Sequence, residues 1–205
     1  PRYSSSAASD VYKRQDPDHV RKVADRVSQL ETERGIAPGA VRLIAMLESP
    51  AALLLAREIA TASPRMAGLT LGMEDYATTM GTTPNADLLR PACYQITQAA
   101  RAAGIAPLAV PASMANFRDV EEMESAAGWA RRIGAVGGYA VHPVQVEILN
   151  RVFAPSEEEI AWAHRVVEAA AKAKREGAGV FKVDGKMVDL PIITRAHDII
   201  GRQAG

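Results

Sequence analysis

Three carboxylates stand where two apolar runs end. Glu48 follows Val41 to Leu47 (VRLIAML) and precedes Ser49-Pro50, while Glu74 and Asp75 follow the run in Ala67 to Gly81, AGLTLGMEDYATTMG. Short apolar runs bounded by turn residues predict buried strands that open into loops. In parallel α/β folds the loops leaving the carboxyl ends of the strands form the ligand-binding edge. Two consecutive strands would therefore each deliver an acid to one rim. Oxygen donors there suit a divalent cation. The same acids also suit the first turn of a following helix, where a carboxylate interacts with the helix dipole, and the residues alone leave both readings open.

Other polar groups fall at comparable places. Ser113 and Asn116 follow the run Ile105 to Pro111, and His142 follows Val136 to Val141. An imidazole titrates near neutrality, which makes His142 a candidate base, but a His-Pro pair at a strand end equally suits a satisfied structural residue. His19, His164 and His197 fall on predicted helices without partners, as surface or packing residues. Asp184-Gly185 reads as a tight turn between two short strands, and Asp189 as a cap opening the last helix. Ser156 with Glu159 three positions on is a capping box. Met46, Met66, Met73, Met80 and Met114 read as core or rim packing, and Arg131-Arg132 with Lys172, Lys174 and Arg175 as solvated helix faces.

These groups are carried by a rhythm of helix and strand. Asp16-Pro17 supplies a helix start, followed by Val20, Val23, Val27 and Leu30 at helical spacing up to Gly35. Strand 41–47 leads to a helix from about Pro50 to Thr61, and strand Ala67 to Met73 to a long helix after Pro84-Asn85. Strand 105–111 then leads to a helix from Phe117 to Ile133, and strand 136–141 to two more helices. Four βα units in succession imply a parallel sheet with right-handed crossovers. No GxGxxG or GxxxxGK[ST] phosphate loop opens any helix. Polar groups at the end of every strand favour loops meeting around one axis, and hence a barrel.

The chain has 205 residues, 24 basic against 24 acidic and 48% hydrophobic, enough for one sizeable domain. Neutral balance argues against nucleic acid and anionic membrane as partners. No apolar run reaches the roughly 18 residues of a membrane span, and the cytoplasm is the simplest compartment. Cys93 is the single cysteine, which allows no intrachain disulfide and reads as a small core residue. Residues 1–15, PRYSSSAASDVYKRQ, lack periodicity and a signal-peptide core. Their DVYKRQ resembles translated sequencing-adapter DNA, and a disordered, non-native tail without function is expected.

Three motifs in order then carry a resemblance: Glu48 through LGMEDYATTMG, YAVHPVQVEILNRVFAPSEEEIAWA, and VFKVDGKMVDLPIITRA. From about Asp16 to Gly201 the chain resembles the citrate lyase beta-subunit-like branch of the HpcH/HpaI aldolase family, which includes malyl-CoA and citramalyl-CoA lyases. The resemblance implies an α/β fold, the C-terminal half of a (β/α)₈ TIM barrel with its last four strands in residues 16–153. It also implies a C-terminal helical and hairpin extension, 154–205, that covers an active site. The earlier strands, which in the family carry an arginine and further acids, are absent from this stretch.

The resemblance further implies that Glu48 and Asp75 bind Mg²⁺ (or Mn²⁺), with Glu74 supporting. His142, Pro143 and Gln145 form part of the rim near the thioester. Asp189 reaches the site of a neighbouring subunit and exchanges a proton with the acyl-CoA methyl group, which requires a homo-oligomer, trimer-based. The expected reaction cleaves or condenses a 3-hydroxyacyl-CoA-type thioester into an acyl-CoA and a small 2-oxo acid. The metal acts as Lewis acid and the enolate must be stabilised. Two departures bear on the substrate: Ser49 stands where the family usually has Thr, and PLAVPASMANF lacks an acid that many members carry. A metal-dependent 2-oxo-acid aldolase without CoA and a non-catalytic subunit or inactive fragment are the alternatives, since half a barrel exposes strand edges.

Overall fold

Asp16 is extended and its carboxylate accepts the His19 N–H at 2.8 Å, so helix α1 (Pro17–Glu33) starts where a side-chain cap and an N-terminal proline coincide. The computed structural model describes residues 16–176 and 179–203. The reading of 1–15 as a disordered tail lies outside the described residues.

After α1 come strand β1 (Leu43–Leu47) and two short helices, α2 (Pro50–Leu54) and α3 (Ala56–Ala60). Strand β2 (Met66–Leu71) leads into α4 (Met73–Thr79) and α5 (Ala86–Ala102). Strand β3 (Ala106–Leu108) is followed by a 3₁₀ turn (Met114–Asn116), then α6 (Val120–Arg132) and α7 (Pro143–Phe153). The sheet is parallel in the order β1-β2-β3. Strand β2 is buried along almost its whole length, whereas β1 alternates, leaving Ile44 and Met46 on an exposed face. Leu47, Leu69, Ile59, Leu89 and Ile96 are fully buried in the core, each contributing about 1.5–3 kcal/mol of burial energy. Cys93 lies there too, 0% exposed, and burial pushes its thiol up to about 12.

Three expectations need correction. Val136 to Val141 does not form a strand; its one ladder-like bond is Val136 N–H to the Pro107 carbonyl, 3.0 Å. Gly137 and Gly138 give that segment no side chains with which to hold a pleat, and it presses close, since a Cβ at Gly138 would lie 2.6 Å from Val110 Cγ2. Strand β3 is three residues rather than seven, because Pro107 and Pro111 supply no backbone donor. The helix expected over 50–61 breaks at Leu55, which caps α2 and opens α3.

A buried ion pair ties α1 to the entrance of β2. Arg65 and Glu31 are 9% and 2% exposed and bond twice, at 2.5 and 2.8 Å. Glu31 also accepts the N–H groups of Gly39 and Val41 at 2.9 and 2.8 Å, and Arg65 reaches Ser28 Oγ and the Val41 carbonyl. The turn between α1 and β1 is thus clamped onto β2. The Arg65 guanidinium first, with the Val41 and Gly39 amides, holds the Glu31 carboxyl down at about 2.

The described residues divide into two units between Phe153 and Ala154. The second has α8 (Glu157–Arg175), an antiparallel hairpin of β4 (Phe181–Val183) and β5 (Lys186–Val188), and α9 (Leu190–Gln203). Its turn uses Asp184 at φ 52 and Gly185 at φ 76, the two positive values a two-residue hairpin of this kind needs. Ala163, Val166, Val188 and Ala196 form its core, and Ser156 and Glu159 make the capping box of α8. Among the described residues no helix is long and apolar enough to cross a membrane.

Candidate functional site

The last residue of β1, Leu47, is wholly buried, and its carbonyl accepts the Gly72 N–H at 2.8 Å. That bond sets Glu48, the next residue, beside Gly72 at the carboxyl end of β2. A Cβ on residue 72 would lie 2.4 Å from Glu48 Cγ and 3.1 Å from Oε1. The Glu48 side chain therefore lies across the bare Cα of Gly72. The φ of Gly72 is −85°, ordinary for any residue, so glycine is needed there for space and not for backbone freedom.

Helix α4 begins at the next residue and carries Glu74 and Asp75 in its first turn, where carboxylates interact favourably with the helix dipole. All three acids line one cleft of about 210 Å³, walled also by Met46, Thr70, Val110 and Tyr139. The two acids on α4 differ in their surroundings. Glu74 Oε1 accepts a hydrogen bond from the Ser113 hydroxyl, in the loop after β3. The Asp75 carboxylate makes no hydrogen bond or ion pair among the described residues. A larger cleft of about 430 Å³ runs along α1 and β1; its lining is mainly apolar, with Val20, Val23, Leu43, Ile44 and Met46, and its polar side chains are Asp16, His19 and Glu48.

The donor set suits a hard cation. Mg²⁺ takes only one or two protein carboxylates and fills its remaining positions with water and substrate oxygens, which is what Glu48 and Asp75 can offer. Softer metals favour His and Cys, and neither lines this cleft. Among the described residues no three of His, Cys, Asp and Glu gather into a metal cage. The acids therefore fit an ion that keeps open positions.

The remaining expected residues are placed elsewhere. His142 stacks on Phe117, with ring centroids 4.8 Å apart, and its Nδ1 accepts the Val144 N–H at 3.3 Å. Gln145 is 1% exposed and its Oε1 accepts the Val141 N–H at 2.9 Å, so it holds the loop into α7, which Pro143 opens. None of the three lines the acid cleft, whereas Tyr139, three residues before His142, does. Asp189 belongs to the second unit. It is exposed, and its carbonyl accepts the N–H groups of Ile192 and Ile193 at 3.1 Å as α9 begins. Asp184 pairs with Arg165 at 2.8 Å. Neither Tyr139 nor the bond from Ser113 to Glu74 is legible in the sequence: Ser113 and Glu74 follow different apolar runs, and Tyr139 lies within a third.

Comparison with known proteins places this geometry in context. Residues 13–143 match the family model described as HpcH/HpaI aldolase/citrate lyase. The citrate lyase subunit beta of Haemophilus influenzae is 36% identical over 200 residues, covering 97% of this chain and 65% of that protein. The L-malyl-CoA/beta-methylmalyl-CoA lyase of Rhodobacter capsulatus is 35% identical over 183 residues, covering 80% of this chain and 57% of the relative. Among solved structures, the protein CitE from Mycobacterium tuberculosis, in complex with magnesium, acetoacetate and coenzyme A, superposes with a TM-score of 0.68 at 27% identity. That match covers 94% of this chain and 67% of that one. The chain thus spans about two thirds or less of the length of these relatives.

Proposed function

The chain belongs to the HpcH/HpaI aldolase/citrate lyase family, and from that membership we propose that it is part of a Mg²⁺-dependent carbon–carbon lyase. The enzyme cleaves or condenses a 3-hydroxyacyl-CoA-type thioester, giving an acyl-CoA and a small 2-oxo acid. The observation that carries this reading is that Glu48 and Asp75, just past the carboxyl ends of two adjacent parallel strands, line one cleft of about 210 Å³. The parallel order β1-β2-β3, with βα crossovers, supports the C-terminal part of a (β/α)₈ barrel, whose catalytic groups sit on that face.

In this reading Glu48 and Asp75 hold the ion, and Gly72 leaves Glu48 the room to reach it. When bound, the metal supplies Lewis-acid polarisation of the oxo acid's carbonyl. Glu74, engaged by Ser113, shapes the rim. His142 and Gln145 act through the backbone, fixing the loop that presents Tyr139 to the cleft. Asp189 exchanges the proton of the acyl methyl group. Its place in the C-terminal unit suits a base that serves a neighbouring copy, so the working form is a homo-oligomer, trimer-based, in the cytoplasm.

The test is calorimetric. Mg²⁺ titrated into the chain should bind, and Glu48→Gln or Asp75→Asn should weaken that binding by at least about tenfold, the loss expected when a charged partner worth ~1.5–3 kcal/mol is removed. Oxaloacetate should bind only with Mg²⁺ present. Failure to bind any divalent ion would overturn the metal reading. Mg²⁺-dependent oxo-acid binding with no affinity for acetyl-CoA would favour the aldolase without CoA.

A further inference from the structure

Glu74 and Asp75 are neighbours in the first turn of α4, and both line the cleft that Glu48 also lines. Their side chains are treated differently by the fold. The Ser113 hydroxyl donates to Glu74 Oε1, while Ser113 Oγ itself accepts the Ala115 N–H at 3.2 Å as it caps the 3₁₀ turn. Ser113 is therefore held by its own loop at the point where it captures Glu74. Asp75, one residue on, has no such partner among the described residues. A carboxylate that accepts a hydrogen bond from a fixed hydroxyl has one oxygen occupied and its rotamer restrained.

We propose that Ser113 sets which cations the site accepts: by holding Glu74 aside, it keeps the protein's carboxylate ligands at two, Glu48 and Asp75. This rests on the metal reading above. A small ion such as Mg²⁺ needs near-octahedral geometry, uses one or two carboxylates and keeps its waters. Ca²⁺ takes 6–8 oxygens and readily uses carboxylates in either mono- or bidentate fashion. Releasing Glu74 would free its carboxylate to turn toward the ion as a third acidic ligand beside Asp75. That change favours the larger ion. Ser113 is thus a positioning residue, acting through Glu74 rather than on the ion.

The experiment compares calorimetric titrations of the full chain with MgCl₂ and with CaCl₂. In Ser113→Ala the preference for Ca²⁺ relative to Mg²⁺ should rise about three- to tenfold, the range one hydrogen bond is worth. Ser113→Thr, which keeps the hydroxyl, should behave as the parent. In a Glu74→Gln background the Ser113→Ala change should have no further effect, because the carboxylate it would release is gone. A ratio unchanged in Ser113→Ala, including equal weakening of both ions by a disturbed 3₁₀ turn, overturns the proposal. So does a shift of the same size in the Glu74→Gln background. A parent chain that binds neither ion overturns the metal reading itself, a result distinct from an unchanged ratio in a chain that binds Mg²⁺.

Discussion

One methyl group distinguishes two roles for glycine at the level of single residues. At Gly72 the atom in the way of a Cβ is Glu48 Cγ, 2.4 Å off, part of a side chain that can swing aside. At Gly68, in the middle of β2, it is the backbone carbonyl oxygen of Ala106 at 2.9 Å, which cannot move without disturbing the pairing of β2 with β3. Gly72→Ala should therefore keep most of the stability while weakening Mg²⁺ binding by about 10–100-fold, the scale of a misplaced ligand support. Gly68→Ala should do the reverse, costing about 1–3 kcal/mol in urea unfolding as an overpacked site, with Mg²⁺ affinity of the folded protein retained. Equal Mg²⁺ affinity in Gly72→Ala and the parent would show that Glu48 is not seated by this glycine. The acids themselves were legible in the sequence because apolar run, glycine and carboxylate are adjacent there. The partner of Glu74 was not, since Ser113 stands 39 positions away and only the sheet brings the two together.

Between elements, the Glu31–Arg65 clamp makes a pH-dependent prediction. The Glu31 carboxyl titrates near 2 in the fold against an ordinary value of 4.5. A carboxyl lowered in the folded state adds stability that is fully present above the ordinary value and is lost as pH falls toward the folded one. The urea midpoint of the parent should therefore exceed that of Glu31→Gln at neutral pH, by more than removal of the exposed Arg151–Glu124 pair costs. The gap should close as pH falls from 4.5 to about 2; a gap that stays constant with pH would refute the linkage. The start of α1, the parallel pairing of β1 and β2, the long α5 and the Asp184-Gly185 turn were all readable, because caps, prolines and turn residues act within a few positions. The clamp was not, as its halves lie 34 residues apart. The missing fourth strand shows the same limit: the apolar run 136–141 has strand composition, but two glycines and the short, proline-interrupted β3 leave it a single ladder bond.

At the scale of the whole chain, the two tryptophans offer separate reporters of the two units. Trp129, on α6, packs against both buried clusters of the first unit, the one around Leu47 and Ile96 and the one around Met123 and Ile148. Trp162, on α8, packs against the core of the second, with the Arg195 guanidinium 4.9 Å from its ring centroid. The second unit, residues 154–205, relies on one small cluster of mostly short side chains. Units below about 60 residues bury too little surface to be more than marginally stable. Fluorescence of the Trp129→Phe variant should therefore report a transition at lower urea than fluorescence of Trp162→Phe, and the unmodified chain should depart from two-state behaviour. Arg195→Ala should lower the stability measured by the first transition alone, by about 0.5–1 kcal/mol, the worth of an exposed cation–π contact. Coincident transitions from the two reporters would mean that both cores unfold as one, and that the second unit draws stability from beyond its own cluster.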